Sequence, residues 1–254
     1  MDQRLLSGKT AVITGASRGI GLATALTFAR AGVSKLLLHF NSHREGAEVA
    51  ADAARAAGAQ VDLFGADLST DTGIQELCDG IRAAGPFDIL INNAGHLVQR
   101  SKLAEFTPDL YDRIMNLNAK SAWFIAQAAA SGMMERRNGV IVNVSSIAAR
   151  NGGGPGATIY AASKAAVAAM TKGMARELAP QGIRVNAVSP GTVDNDFHQK
   201  YSTREMLQNV VAATPAGTLG TNEEVADVIL FLCTEPSRYM HGQTLEINGG
   251  MYMV

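Results

Sequence analysis

Short runs of aliphatic residues alternate along the chain with longer stretches in which apolar positions return every three or four residues. The runs are KTAVIT, KLLLHF, QVDLFGAD, FDILINN, GVIVNVSS, GIRVNAVSP and QTLEING. Between them come a helix to Ala31, the helical patterns HREGAEVAADAARAAG and TGIQELCDGIRAAG, two helices through Arg137, an alanine-rich helix around Tyr160 and the very apolar VADVILFLC. The runs are apolar at nearly every position, which is how strands covered on both faces read. The pattern predicts an α/β fold with one doubly wound parallel sheet of about seven strands and helices on both faces. Punctuation agrees. Ser42 with Glu45 and Thr221 with Glu224 have capping-box spacing, Pro108 follows Thr107 at a helix start, and Gly58 and Gly85 stand where helices should stop. With no linker, repeat or low-complexity tract to divide them, residues 1–254 are expected to form a single domain. Residues 191–221 have weak periodicity and are expected to include a lid.

Charge narrows the partners. Twenty-two basic against 23 acidic residues leave a formal charge of -1 without a basic block, so a nucleic-acid partner is not expected. Nowhere do 18 apolar residues run together, and the opening MDQRLLSGKTAVITG reads as neither a signal peptide nor an anchor. A soluble, cytoplasmic protein without a membrane partner is the expectation. Cys78 and Cys233 have no metal-ligand company and are too few for a disulfide framework, so no metal is expected.

The first strand runs into TGASRGIG, with Gly15, Gly19 and Gly21 at GxxxGxG spacing. Glycines there let the backbone turn tightly and approach a pyrophosphate, whose charge lies against the positive end of the next helix. At the second strand end a carboxylate would bond the ribose 2′-hydroxyl of NAD. The chain instead reads HFNSHRE, with no acid before Glu45. Arg18, His43 and Arg44 offer positive charge there, and Asn41 and Ser42 offer neutral donors. NADP(H) is therefore favoured, with NAD(H) the alternative.

The strand GVIVNVSS ends in Ser145 and Ser146, and the helix after it carries Tyr160 and Lys164 on one face. A phenol with a reference pKa of about 10 shuttles protons poorly near neutrality, and a cation within about 4–6 Å is expected to lower it. Lys164 is placed to be that cation.

TGASRGIG, NNAG at 92–95, the serine pair, YAASK, SPG at 189–191 and the closing GQTLEINGG follow one another in an order that resembles the classical short-chain dehydrogenase/reductase family over essentially the whole chain, its 3-oxoacyl-[acyl-carrier-protein] reductase-like members in particular. The resemblance implies a Rossmann fold and an NAD(P)-dependent oxidoreductase of a small alcohol or ketone, assembled as a homo-oligomer, a tetramer before a dimer. It implies Tyr160 as general acid/base, Lys164 as its partner, Ser146 (or Ser145) orienting the substrate oxygen, and Asn118 from YDRIMNLNAK as the fourth member. It further implies cofactor contacts from Gly15, Ser17, Arg18, Gly19, Ile20 and Gly21; from Asn41, Ser42 and His43; from Asp67 and Leu68; from Asn93, Ala94 and Gly95; and from Pro190, Gly191 and Val193.

The chain departs from the family's pattern at four places. The Ser146 to Tyr160 interval is one residue longer than the commonest and holds NGGGPGA, Asn195 stands where a threonine is frequent, and Thr218 and Asn41 replace frequent arginines. The expected reaction is NADP(H)-dependent reduction of a ketone, with 3-oxoacyl thioesters the typical substrates. A polyol, sugar or steroid alcohol dehydrogenase is the enzymatic alternative and a non-catalytic NADP-sensing protein the other.

Overall fold

The computed structural model describes residues 4–254, the side chains of 198–200 excepted. Seven parallel strands form one sheet: β1 (Thr10–Ile13), β2 (Lys35–Phe40), β3 (Gln60–Gly65), β4 (Ile89–Asn92), β5 (Gly139–Val144), β6 (Ile183–Pro190) and β7 (Thr244–Ile247). Their order is β3-β2-β1-β4-β5-β6-β7, so the chain winds outward from β1 and then returns to its other side at β4. Doubly wound sheets bind ligands at such a reversal, beyond the carboxyl ends of the strands.

Successive strand residues feed opposite faces, which explains why the inner runs are nearly continuously apolar, while the edge strands β3 and β7 carry polar residues and are less buried. Ile13, Leu36, Leu38 and Val142 pack with α1 (Gly19–Arg30), α2 (Arg44–Ala56) and α10 (Asn222–Leu232). Val12, Leu37, Leu90 and Ile141 pack with α3 (Asp71–Ala84), α5 (Ser121–Arg136) and α7 (Thr158–Leu178). Among the described residues no helix is long and apolar enough to cross a membrane.

Most punctuation holds. Thr221 and Glu224 form a full capping box on α10, and Thr107 caps α4 (Pro108–Met115) by accepting from Leu110 N–H. Ser42 and Glu45 do not form one. The helix starts one residue later than that box requires, with His43 at its cap position and no side-chain cap bond, because the His43 ring is turned back onto the Ser17 carbonyl (3.2 Å). The segment 191–221 also has more structure than its weak periodicity predicts, holding α8 (Asp196–Tyr201), α9 (Arg204–Ala213) and a parallel bridge between Val193 and Gly220. Gly153 and Gly156 take positive φ in the stretch between the short α6 (Ala148–Asn151) and α7, so α7 does not follow β5 directly.

Candidate active site

A cavity of about 850 Å³ lies over the carboxyl ends of the strands, from Asp67 past Gly15 to Tyr160 and Val210. The glycine turn forms its floor. A Cβ on Gly21 would strike the Gly15 carbonyl and the Asn93 carboxamide, so only glycine lets α1 close on the turn at this point. Asn93 Nδ2 donates to the Thr14 and Gly15 carbonyls (2.9 and 3.1 Å), while Thr14 Oγ1 accepts from the N–H groups of Asn93 and Ala94. Thus Asn93 braces the turn against the end of β4. Asp67 caps no helix; Oδ1 accepts from Ser69 N–H (2.9 Å) and the side chain remains exposed to the cavity.

His39 braces the turn from the other side, and nothing in the sequence pattern singled it out. Gly15 N–H donates to Nδ1 (3.1 Å), which must therefore be unprotonated, and Nε2 donates to the Ala66 carbonyl (3.0 Å). Burial pushes the imidazole down to about 4, against the opposing pull of the Ala66 bond and Asp67. It is neutral at pH 7. His39→Leu leaves both backbone groups unpaired where they are partly buried and is expected to weaken dinucleotide binding by about tenfold or more. His39→Gln, with an acceptor and a donor of its own, is expected to recover part of that loss; fluorescence titration measures both.

Three polar side chains meet on the β5 side. Ser146 lies beside the Tyr160 phenol and favours its ionised form, while its Oγ accepts from Ala148 N–H (3.1 Å). The Lys164 ammonium, almost fully buried, donates to the Val144 carbonyl (2.8 Å) and stands 5.9 Å from the Tyr160 ring centre. Ser145 points elsewhere, donating to the Lys164 carbonyl (2.9 Å) from a buried position, so Ser146 is the serine that the fold brings to the phenol. A buried amide chain fixes α7 on the sheet, Asn92 donating to Asn143 (3.0 Å) and Asn143 to Thr171 (2.9 Å).

Asn118 sits on a wide turn, Asn116–Lys120, between α4 and α5, where Ser121 N–H bonds back to the Asn116 carbonyl. Such π turns rotate a side chain off the regular helix face. The carboxamide donates to the His96 and Ile114 carbonyls (2.9 and 2.8 Å) and accepts from His96 N–H (3.0 Å). It thereby holds the loop after β4. A Cβ on Gly95 would lie 2.6 Å from Lys164 Nζ and 2.8 Å from Asn118 Oδ1, so a glycine is what lets these two groups approach the loop.

The family model described as enoyl-(acyl carrier protein) reductase matches residues 15–252. The chain belongs to the short-chain dehydrogenase/reductase family. The chain is 37% identical to the 3-oxoacyl-[acyl-carrier-protein] reductase FabG of Thermotoga maritima over 97% of its length and 98% of the relative's. The FabG of Escherichia coli K12 is 36% identical over the same shares. Among solved structures, an NAD(P)-dependent protein assigned as a gluconate 5-dehydrogenase from Beutenbergia cavernae, with bound NADP, has a TM-score of 0.91 at 31% identity and 99% coverage of both chains. A DEH reductase mutant follows at 0.88, 33% identity and 98% coverage of both chains. This short-chain dehydrogenase/reductase is therefore an NAD(P)-dependent oxidoreductase with a Rossmann-type sheet.

Of the predicted site residues, Gly21 and Asn118 lie behind the cavity wall and shape it, while the others line it. Gly191 N–H is tied to the Ile247 carbonyl (2.8 Å), the Pro190 carbonyl accepts from Ile147 N–H (2.9 Å), and the Val193 side chain is buried in the core.

One expectation fails: Lys164 does not depress the phenol. Burial pushes Tyr160 up to about 12, countered only by Ser146, and pulls Lys164 down to about 8. The lysine spends its short hydrogen bond on the end of β5, several ångströms from the ring, so desolvation decides both groups.

The opposite wall holds residues that spacing did not reveal. Phe197 on α8 tilts against the Tyr160 ring at 5.9 Å, and the His96 ring meets Phe197 and Tyr201 edge-on at 5.8 and 5.0 Å. Tyr201 donates to the Val98 carbonyl (2.9 Å). Arg18 reaches Asp196 at 3.6 Å, and Asn195, in the place of the frequent threonine, donates to Asn222 (3.0 Å), so the start of α8 is attached to the glycine turn and to α10.

Proposed function

We propose that the protein is an NADP(H)-dependent reductase that converts a ketone to a secondary alcohol, with Tyr160 as the general acid. The observation that carries the reading is the Tyr160 phenol, open to the cavity with Ser146 beside it and the Lys164 ammonium 5.9 Å from its ring centre. The nicotinamide, when bound, supplies the hydride. Ser146 hydrogen-bonds the substrate oxygen and orients it, and Tyr160 gives that oxygen its proton as negative charge develops there. A phenol held near 12 stays protonated at neutral pH yet remains a stronger acid than an alcohol, so it is suited to give a proton to a nascent alkoxide. Lys164 would hold the ribose hydroxyls of the bound dinucleotide, and Asn118 positions the loop on which His96 sits. Phe197 and Tyr201 help to keep bulk water from the phenol, with α8 acting as the lid.

The glycine floor, Gly95 and the braced turn fit a dinucleotide. Arg18, Asn41, Ser42 and His43 line the cavity at the end of β2 without a carboxylate among them, which supports NADP(H) over NAD(H). Arg44 is drawn to Glu48 (3.3 Å) and contributes less there. In steady-state kinetics kcat/KM is expected to be at least about tenfold higher with NADPH than with NADH; equal values would refute the preference. The FabG relatives support 3-oxoacyl thioesters as substrates, whereas the neighbour assigned as a gluconate 5-dehydrogenase supports a sugar-type substrate. Assembly as a homo-oligomer, a tetramer before a dimer, belongs to the same reading, the exposed Ala162 and Ala169 on α7 offering a face of small side chains.

A further inference from the structure

We propose that Arg100 is the specificity-determining cation of the substrate pocket, and that the ketone substrate carries an oxyanion within its reach. The inference rests on the reading above as a ketone reductase and names the substrate class. Arg100 lies five residues beyond Gly95, half-buried in the cavity wall. Its Nε donates to the Tyr201 carbonyl of α8 (3.1 Å) and its Nη1 to the Pro155 carbonyl of the glycine-rich insert (2.7 Å). The guanidinium therefore stands where three irregular segments meet, the loop after β4, the insert and the lid.

Both of these partners are neutral. Among the described residues no carboxylate comes within ion-pair distance of Arg100, whereas Arg18, Arg44, Arg55, Arg82, Arg136 and Arg150 each have one. A guanidinium has five N–H donors in a planar fork, so the two carbonyls leave donors over. The cavity's acids are Asp67, at the other end of the strand row, and Asp196, already drawn to Arg18. The insert next to the guanidinium is mostly glycine. A Cβ on Gly154 would stand 3.6 Å from Nη1, and its absence leaves that side open. A part-desolvated cation without a counter-ion gains most from an anionic ligand, and the arginine fork suits the paired oxygens of a carboxylate or phosphate. Two sources share that chemistry, the carboxylate of a small oxo acid and the phosphate of a carrier-type thioester.

Matched substrates test this by NADPH oxidation. One arm compares 3-oxobutanoate, 4-oxopentanoate and 5-oxohexanoate with their methyl esters; the other compares 3-oxobutanoyl-CoA with the neutral 3-oxobutanoyl-N-acetylcysteamine. The wild-type protein is expected to prefer the charged member of one arm by about tenfold or more in kcat/KM. The arm that shows it identifies the source. Arg100→Gln is expected to erase that ratio while changing kcat/KM for the neutral member and the Kd for NADPH by less than about threefold, and Arg100→Lys to keep part of the ratio. Unchanged NADPH affinity shows that the variant is folded. A ratio that Arg100→Gln leaves intact, or a wild-type preference for neutral members in both arms, overturns the proposal and leaves the ketone-reductase reading standing. Failure of the wild-type protein to reduce any member in either arm would remove both.

Discussion

Tyr160→Phe is expected to lower kcat for ketone reduction by about 10²–10⁴-fold, the range supplied by a positioned acid. The substitution removes one oxygen and keeps the ring that Phe197 tilts against, so the wall of the pocket stays in place. NADPH affinity, read by fluorescence titration, is expected to change by less than about threefold, because the glycine turn and its His39 and Asn93 braces lie elsewhere. The loss therefore falls on kcat. A phenylalanine enzyme with wild-type turnover would show that the proton comes from another group, and His96 would be the next candidate on the cavity wall. Ser146 and Tyr160 line the same part of the cavity and are proposed to act on one substrate oxygen, so Tyr160→Phe and Ser146→Ala together are expected to cost much less than the product of the two.

The sheet was readable because of its burial. Val12 and Ile13, or Leu36 and Leu37, face opposite cores, so the inner strands are apolar at consecutive positions and stand out from the amphipathic helices, whereas the edge strands β3 and β7 alternate with polar residues. The glycine turn was readable for a related reason, since Gly21 is packed against backbone where no side chain fits. The Ser42 box failed by one residue: local spacing cannot show that the His43 ring bonds to Ser17, 26 positions earlier. Asn118 was named through family resemblance, but its reach depends on a wide turn that periodicity does not encode. Arg100 and Tyr201 are 101 positions apart, and His39 is 24 from Gly15 and 27 from Ala66. No spacing rule connects such pairs. The titration behaviour was the least legible. Charge proximity favoured a depressed phenol, while the fold withdraws enough water from the phenol that desolvation reverses the direction.

The burial of Lys164 has a consequence for stability. Lys164→Met is expected to lower turnover by about 10²–10³-fold, since the cation proposed to hold the ribose hydroxyls beside Tyr160 is lost, and at the same time to raise the Tm of the cofactor-free protein. The ammonium is almost fully buried and its only protein acceptor is the Val144 carbonyl among the described hydrogen bonds. A lysine pulled from 10.5 to about 8 on folding costs about 3 kcal/mol while it remains charged. Leaving the Val144 carbonyl unpaired returns about 1 kcal/mol of that. The net gain of about 2 kcal/mol corresponds to about 4–8 °C for a chain of this size. The sign fixes a pH window. Below pH 8 both folded and unfolded lysine are protonated, and the wild-type protein bears the whole cost. Between pH 8 and 10.5 the unfolded chain binds the additional proton, so wild-type stability from this group rises with pH and the advantage of methionine shrinks. Thermal melts of both proteins at pH 7 and pH 9.5 test this. A methionine variant that melts below wild type at pH 7, or whose advantage is the same at both pH values, would show that the buried ammonium is better compensated than its single carbonyl bond implies.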